Sequence, residues 1–437
     1  MRSRSALPVL LSKDFRDLLS SRAFWLLLVI IGPLVGHAFI TAVSSYAEAS
    51  GIGGGPAALA QGLSPLDGIF VPTFGAYDLA VTLLFPFVAI RLISGERTSG
   101  AWKLLHQSHA GLGTILFAKA LTLLVAWAGA WIPGLLAMGL WRSYGGSLYA
   151  PEIANLLLGH LLRVVLASGV AVAAAAIAGS AATAAIATLG FTVGTWALDF
   201  VAAGRGGTLQ KIAAYTPTAA LRVFEQGELR LTTVLVVLLF GIGGFCVAAV
   251  WFAPTDTLAR HVFRTAVLIF AFGGLMWNAS HLRAARDVSE NRRNSFPAAD
   301  ERALRQIREP LRVTVFLAAE DPRLMDLERN ILAKLQRILP ELDVVYAAHS
   351  RAGLFEGEHY GEVWYELGGR RVMSRSTTEP IVLETIYHLA QVAPPADAHD
   401  AQYAGHPLAA EPRGAALTYY AVWPLVVLLA AWLYFRG

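Results

Sequence analysis

Residues 93–111 read ISGERTSGAWKLLHQSHAG and sit between two of the most apolar stretches in the chain. Glu96, Arg97, Lys103 and two histidines crowd this turn, while both flanks have the composition of membrane. The whole 437-residue chain follows the same logic. It is 55% hydrophobic and 15% charged, with a mean hydropathy of +0.52. The apolar residues gather in blocks of roughly 20, the length that crosses a ~30 Å hydrocarbon core. That excludes a soluble globule and makes 93–111 a short loop between spans.

Working outward, the candidate spans are 23–43, 74–94, 115–141, 153–178, 180–202, 232–253, 263–282 and 417–435, about eight transmembrane helices. The first is no secretory signal: acids precede it and its apolar run is too long for an h-region. Eight crossings put both termini on one side. Basic residues near the N-terminus and in loops 95–114 and 254–262 make that side the cytoplasm. Before the first span, residues 1–22 carry leucines at helical spacing, with Lys13, Asp14 and Arg16 on other faces, the pattern of an interfacial helix. The fourth and fifth spans meet at Gly179-Ser180 in an alanine-rich hairpin, whose small residues let helix backbones approach closely.

Charge separates a second module. Residues 283–416 hold 17 basic and 20 acidic residues, while the rest holds 18 and 11. A mildly acidic module therefore hangs on a basic membrane body. "LRVTVFLAA" (311–319), "DPRLMDLERNILAKLQRIL" (321–339) and "LDVVYAA" (342–348) read as strand, helix and strand. "EVWYELGGRRVMSR" (362–375) reads as a hairpin turning on Gly368-Gly369, and 379–392 as a closing helix. The predicted fold is an α-helical polytopic membrane protein with a small extracytoplasmic α/β domain between the seventh and eighth spans. A shorter outer segment, 209–230, reads as two short helices broken at Thr216-Pro217.

The loop "SGERTSGAWKLLHQSHAGLGTILFAKAL" resembles the cytoplasmic loop of type-2 ABC exporter permeases. In that family a Glu-Arg pair precedes a glycine and a short helix, and a lysine opens the next span. Glu96, Arg97, Gly100, Leu104, Leu105 and Lys119 fit, and Ala101 departs, because the family usually has threonine there. "YTPTAALRVFEQGEL" is similar to the outer segment before the last permease span. The resemblance covers residues 7–253 and implies a six-span permease domain over 23–253. Residues 287–313, with Asp287, Ser289, Glu290, Arg293, Phe296, Leu304, Pro310 and Val313, resemble the start of auxiliary subunits of bacterial gliding-motility ABC systems. That family's outer domain continues into a second α/β half, whereas here the chain returns to the membrane. Residues 254–282 then form a linker and seventh span, 283–416 a shortened auxiliary domain and 417–437 the eighth span.

A permease implies an ATPase. The chain has no GxxxxGK[ST] phosphate cradle, so ATP and Mg are expected on a separate ATPase dimer and no cofactor in this chain. The resemblance implies that Glu96, Arg97, Gly100, Trp102, Lys103, Leu104 and Leu105 form the ATPase interface. Glu96 or Arg97 would make charged contacts there, and Leu104 and Leu105 would fill a groove in the partner. A second copy of the permease and membrane lipids are further expected partners, with a substrate or periplasmic partner on the outer domain and no nucleic acid. The expected location is the bacterial inner membrane.

Charges inside spans mark the other candidates. Arg163 lies about ten residues into the fourth span with His160 one turn earlier, and Asp78 lies near the outer end of the second. A guanidinium that deep faces a cavity or a partner, so these three are candidate substrate-pathway residues; the alternative is an Arg163 that snorkels outward. Chemistry is less well served. His349, His359, His388, His399 and His406 lack paired ligand spacing, and one cysteine with five methionines offers few soft metal ligands. Glu356, Glu358, Glu362 and Glu366 read as a solvated edge. Neither a catalytic nor a metal site is expected. Two functions remain: export or extraction of an amphipathic substrate, or a mechanical scaffold whose outer domain is moved by ATP turnover.

Overall fold

The computed structural model describes residues 6–52, 62–107, 110–202, 207–253, 257–318, 321–339, 341–347, 350–351, 354–355, 359–395 and 403–436. Helices follow in the order α1 (Ala6–Leu19), α2 (Arg22–Gly51), α3 (Leu66–Thr98), α4 (Ala101–Gln107), α5 (Leu112–Ser143), α6 (Ala150–Ile177), α7 (Ala181–Ala202), α8 (Gly207–Ala213) and α9 (Pro217–Glu225). After strand β1 (Glu228–Arg230) come α10 (Leu231–Trp251) and α11 (Leu258–Ser280). Then follow β2 (Ala285–Asp287), α12 (Ala298–Leu304), β3 (Leu311–Val315), α13 (322–338), β4 (Leu342–Tyr346), β5 (Ser350–Arg351) and β6 (Leu354–Phe355). The chain closes with β7 (Val363–Leu367), β8 (Arg370–Ser374), α14 (Glu379–Ala390) and α15 (Ala415–Arg436). Eight of these helices, α2, α3, α5, α6, α7, α10, α11 and α15, are long and apolar enough to span a membrane.

Contacts divide the chain into two units. The first comprises Met1–Gly194, Leu231–Leu282 and Ala404–Gly437, and the second Thr195–Arg230 with Arg283–Tyr403. In the first, α2, α3, α5 and α6 bury Phe39, Phe74, Tyr77, Phe85 and Trp141 between them. The crossing of α6 and α10 is closer than side chains would permit. A Cβ on Gly241 would lie 2.8 Å from Val165 Cγ1, and one on Gly169 would strike the Gly241 carbonyl. Small residues here let backbones touch, which is how helices associate in lipid. The last span belongs to this core: the Trp423 indole donates to the Leu28 carbonyl at 2.7 Å and the Tyr419 hydroxyl to the Pro133 carbonyl at 2.9 Å.

In the second unit, β3 and β4 pair in parallel around α13, and β7 and β8 add antiparallel to give the order β4-β3-β7-β8. Gly368 and Gly369, with φ of 55° and 78°, supply the two left-handed residues that this hairpin turn requires. Alternation then decides the faces. Leu311, Val313 and Val315 on β3 and Val363, Tyr365 and Leu367 on β7 are buried with residues of α13 and α14. Tyr387 of α14 donates to Asp300 Oδ1 of α12 at 2.6 Å. Burial first, and that bond second, push the Tyr387 hydroxyl's pKa up.

Two differences from expectation have physical causes. The helix before the first span forms, but Asp14 is buried in it rather than on a polar face, because a lysine from α5 meets it there. Residues 228–230 and 285–287 form an antiparallel ladder, with Glu228 opposite Asp287. Three residues are too few for alternation to announce a strand.

Candidate functional site

The turn between α3 and α4 begins with two charges facing opposite ways. Glu96, in the last turn of α3, is buried. Its Oε1 accepts from Lys119 Nζ of α5 at 2.8 Å and from Lys13 Nζ of α1. Lys119 also donates to Asp14 Oδ1 at 3.2 Å and to the Leu92 carbonyl at 3.3 Å. Lys13 closes the ring on Asp14 at 3.2 Å and reaches Asp17 at 3.0 Å. Burial works against the Lys13 ammonium, but the hydrogen bond and charge of Glu96, helped by Asp17 and Asp14, outweigh it and hold its pKa above the ordinary lysine value. The Asp14, Asp17 and Glu96 carboxylate oxygens lie within 4.8 Å of one another. Two ammoniums donate into that cluster, so its charge is met by lysine. The ring ties α1, α3 and α5 together.

Arg97 turns to α6. Its Nη1 donates to the carbonyls of Ala175 at 2.7 Å, Ala176 at 3.2 Å and Ala178 at 3.0 Å. Carbonyls in the last turn of a helix have no partner in the helix itself, and a guanidinium there satisfies them and opposes the negative end of the dipole. Ser99 then ends α3 through its N–H to the Gly95 carbonyl. Gly100 reverses the chain at φ 75°.

The short helix α4 that follows is amphipathic in effect. Trp102 lies against Phe252, with ring centroids 4.1 Å apart. Leu105 packs with Leu10 of α1 and Ile115 and Ala118 of α5. Leu104 points away, 70% exposed. Lys103 lies in α4, and its side chain is outside the described residues.

Residues 9–224 match the family model of the ABC-2 family transporter protein. Over that stretch the chain is an ABC-2 family transporter membrane protein. It is thus a non-catalytic transmembrane subunit, and ABC-2 permeases work with an ABC ATPase. No curated protein and no solved structure matches it. The match stops before α10, so the later residues, including those that resemble auxiliary subunits, lie outside it.

Within this permease the side chains of the turn differ in what they leave exposed. Glu96 is buried and enclosed by lysines, Arg97 is engaged on α6, and Trp102 and Leu105 pack α4 against its neighbours. Leu104 is the large apolar side chain of α4 left open. Sequence alone pointed to the loop but not to the ring, although Lys13, Asp14 and Lys119, charges next to apolar runs, were its visible signal.

The intramembrane charges of the permease also meet. Arg163 of α6 donates from Nε to Asp78 Oδ1 of α3 at 3.0 Å and from Nη2 to Thr82 Oγ1 at 2.9 Å. Arg163 therefore turns inward to a carboxylate rather than snorkelling. His160, one turn earlier, is buried between the rings of Phe74 and Tyr77, each with its centroid 5.2 Å from the imidazole.

The second unit holds a junction that sequence reasoning missed. Arg293 Nε and Asn294 Nδ2 donate to the Gln226 carbonyl at 2.9 and 2.7 Å, and Arg293 Nη2 to that of Glu225 at 3.2 Å. These are carbonyls at the end of α9. Asp287 shapes the loop that presents them, accepting from the N–H groups of Ser289 and Asn294 at 3.0 Å each. With the β1–β2 ladder, this latch fastens 217–230 to 285–294. At the far end of β3, Asp321 caps α13 and accepts from Arg323 and from Tyr360, both at 2.7 Å. The Arg323 guanidinium, joined by the Tyr360 hydroxyl, holds the Asp321 carboxyl down at about 2. His359 sits beside Glu362 at 3.0 Å. His349, His399, Glu356 and Glu358 lie outside the described residues.

Proposed function

We propose that the chain is the permease subunit of an ATP-driven exporter or extractor of an amphipathic substrate: a lipid, glycan, peptide or lipoprotein. A separate ATPase dimer supplies the energy and binds ATP and Mg. The observation that carries this is the clasped turn. Leu104 stands out from a helix whose base is bonded to α1, α3, α5 and α6, so a displacement applied to α4 is passed to four helices at once. In this reading Glu96 and Arg97 transmit force instead of gripping the partner, and Leu104 fills the ATPase groove. Gly100 sets the direction of α4. The protein lies in the bacterial inner membrane with both termini cytoplasmic and pairs with a second copy, because two permease halves face one ATPase dimer. Asp78, His160 and Arg163 form a polar step along the substrate route, where a charged group exchanges with the Asp78–Arg163 pair.

The latch in the second unit favours a second reading, in which nucleotide turnover moves the outer α/β domain and nothing crosses the membrane. Arg293 joins that domain to the segment before α10, which suits mechanical transmission. Proteoliposomes holding the permease and its ATPase separate the two. ATP-dependent loss of a labelled lipid or tracer supports export. ATP hydrolysis with movement of the domain and no translocated species supports the mechanical role and removes the exporter.

A further inference from the structure

Among the described residues, Arg91 is an arginine inside a membrane span whose charge is left open. Arg163 has Asp78, and Arg97 at the end of α3 has the α6 carbonyls. Among the described residues, none hydrogen-bonds or ion-pairs with the Arg91 guanidinium, which is exposed. It opens instead into a groove of about 390 Å³ between α2, α3 and α7, whose lining contains no acidic residue. Ser94 and Thr98 bring hydroxyls to the same wall, and Ala182 leaves the opposite wall low. The positive end of α7 adds to this field: Ser180 caps it through the Thr183 N–H at 3.1 Å, and its first turn holds no acid. Arg91 lies seven residues from the end of α3, about 10 Å along the axis, a depth from which a long side chain reaches the head-group layer.

An apolar track leads away from this charge. Leu79, Leu83 and Phe87 precede Arg91 at intervals of four residues and are 57%, 42% and 41% exposed. Four-residue spacing places them on one face of α3. The track spans about 18 Å, slightly more than half of a ~30 Å hydrocarbon core. A planar cation at the head-group level, hydroxyls beside it and a leaflet-long apolar stripe beneath it match one molecular shape.

We propose that this groove binds an anionic phospholipid, its phosphate on Arg91 and the α7 N-terminus and an acyl chain along Phe87, Leu83 and Leu79. A guanidinium recognises a phosphate with paired N–H donors, and the absence of lining acids leaves no internal competitor. On the orientation adopted under the proposed function, the lipid comes from the cytoplasmic leaflet. This names one amphipathic ligand for that reading. Binding is measured without transport, so either can fail alone.

The test uses the full-length chain in detergent, incubated with phosphatidylglycerol or with phosphatidylcholine of the same acyl chains, and native mass spectrometry of the retained lipid. Wild type retains phosphatidylglycerol preferentially, and Arg91→Gln loses about tenfold of that retention, the scale of one charged hydrogen-bonded contact. Arg91→Lys keeps part of it. Ala182→Trp, which fills the groove while keeping the charge, removes phosphatidylglycerol with the thermal unfolding midpoint unchanged, and it carries the test should Arg91→Gln misfold. Equal retention of the two lipids by wild type, or retention unchanged in both variants, overturns the proposal. Competition by glycerol 3-phosphate as strong as by the lipid would also overturn it, since the apolar track would then contribute nothing. Disulfide cross-linking of Phe87→Cys between copies, unaffected by phosphatidylglycerol, would assign the groove to a second copy instead.

Discussion

Removing the Glu96 carboxylate is the sharpest perturbation of the clasp. Lys119 has no exposed side-chain surface and Glu96 has 5%, so Glu96→Ala leaves a buried ammonium with Asp14 as its remaining carboxylate, at 3.2 Å. Breaking one partner from a buried pair costs about 3–5 kcal/mol. Asp14 retains part of the compensation, and Lys13, a third exposed, can carry its charge to water. The expected loss is therefore near the lower limit, about 3 kcal/mol, or roughly a hundredfold in the folded-to-unfolded ratio. Lys119→Met should cost a comparable amount, because it leaves Glu96 and Asp14 to share Lys13 as their remaining ammonium. The double variant Glu96→Ala/Lys119→Met should lie closer to wild type than the sum of the singles, because it removes both charges together. Denaturation of the purified chain in detergent, followed by tryptophan fluorescence, gives these values. Singles within about 0.5 kcal/mol of wild type, or additive within that margin, would refute a buried ring.

Arg97→Ala should free two α6 carbonyls and that of Ala178 just beyond it, and lower coupling between ATP hydrolysis and transport, with Arg97→Lys intermediate because an ammonium lacks the planar fork; coupled ATPase and transport rates read this. Gly169→Leu should prevent the α6–α10 crossing and abolish recovery of folded protein from membranes, whereas Gly139→Leu, with nothing within 4 Å of its Cβ site, should be tolerated. Asp321 has its folded pKa depressed from 3.8 to about 2. Its stabilisation is therefore full above pH ~4 and lost as pH falls toward 2. In the full chain, hydrogen exchange at β3 should accelerate over that interval in wild type and show a shallower pH dependence in Asp321→Asn. Arg293→Ala should raise exchange at residues 224–228 while leaving β3 and β7 unchanged.

Much of this architecture is written locally. The eight spans, the β3–α13–β4 unit and the Gly368-Gly369 hairpin follow from apolar blocks, β-branched runs and turn glycines, each legible within twenty or so residues. The candidate site was legible as a location, since charge at 93–111 between apolar flanks is a local signal. Its internal wiring was not. Asp14, Glu96 and Lys119 are separated by whole helices, and nothing in the residues around Glu96 says that it turns inward. The same holds for Arg97, whose acceptors are backbone carbonyls and carry no sequence signature. The Arg293 latch joins segments on either side of α10 and α11, so its partners emerge only when those two helices return the chain to β1.

On the proposed function, α4 is where an ATPase drives the permease. The most direct test of this is the hydrolysis rate of the partner ATPase with purified permease, comparing wild type with Leu104→Arg. Leu104 is exposed and outside the clasp, so the variant should fold as wild type does while losing both capture and stimulation of the ATPase. Stimulation equal to wild type, in a variant that folds normally, would contradict the account.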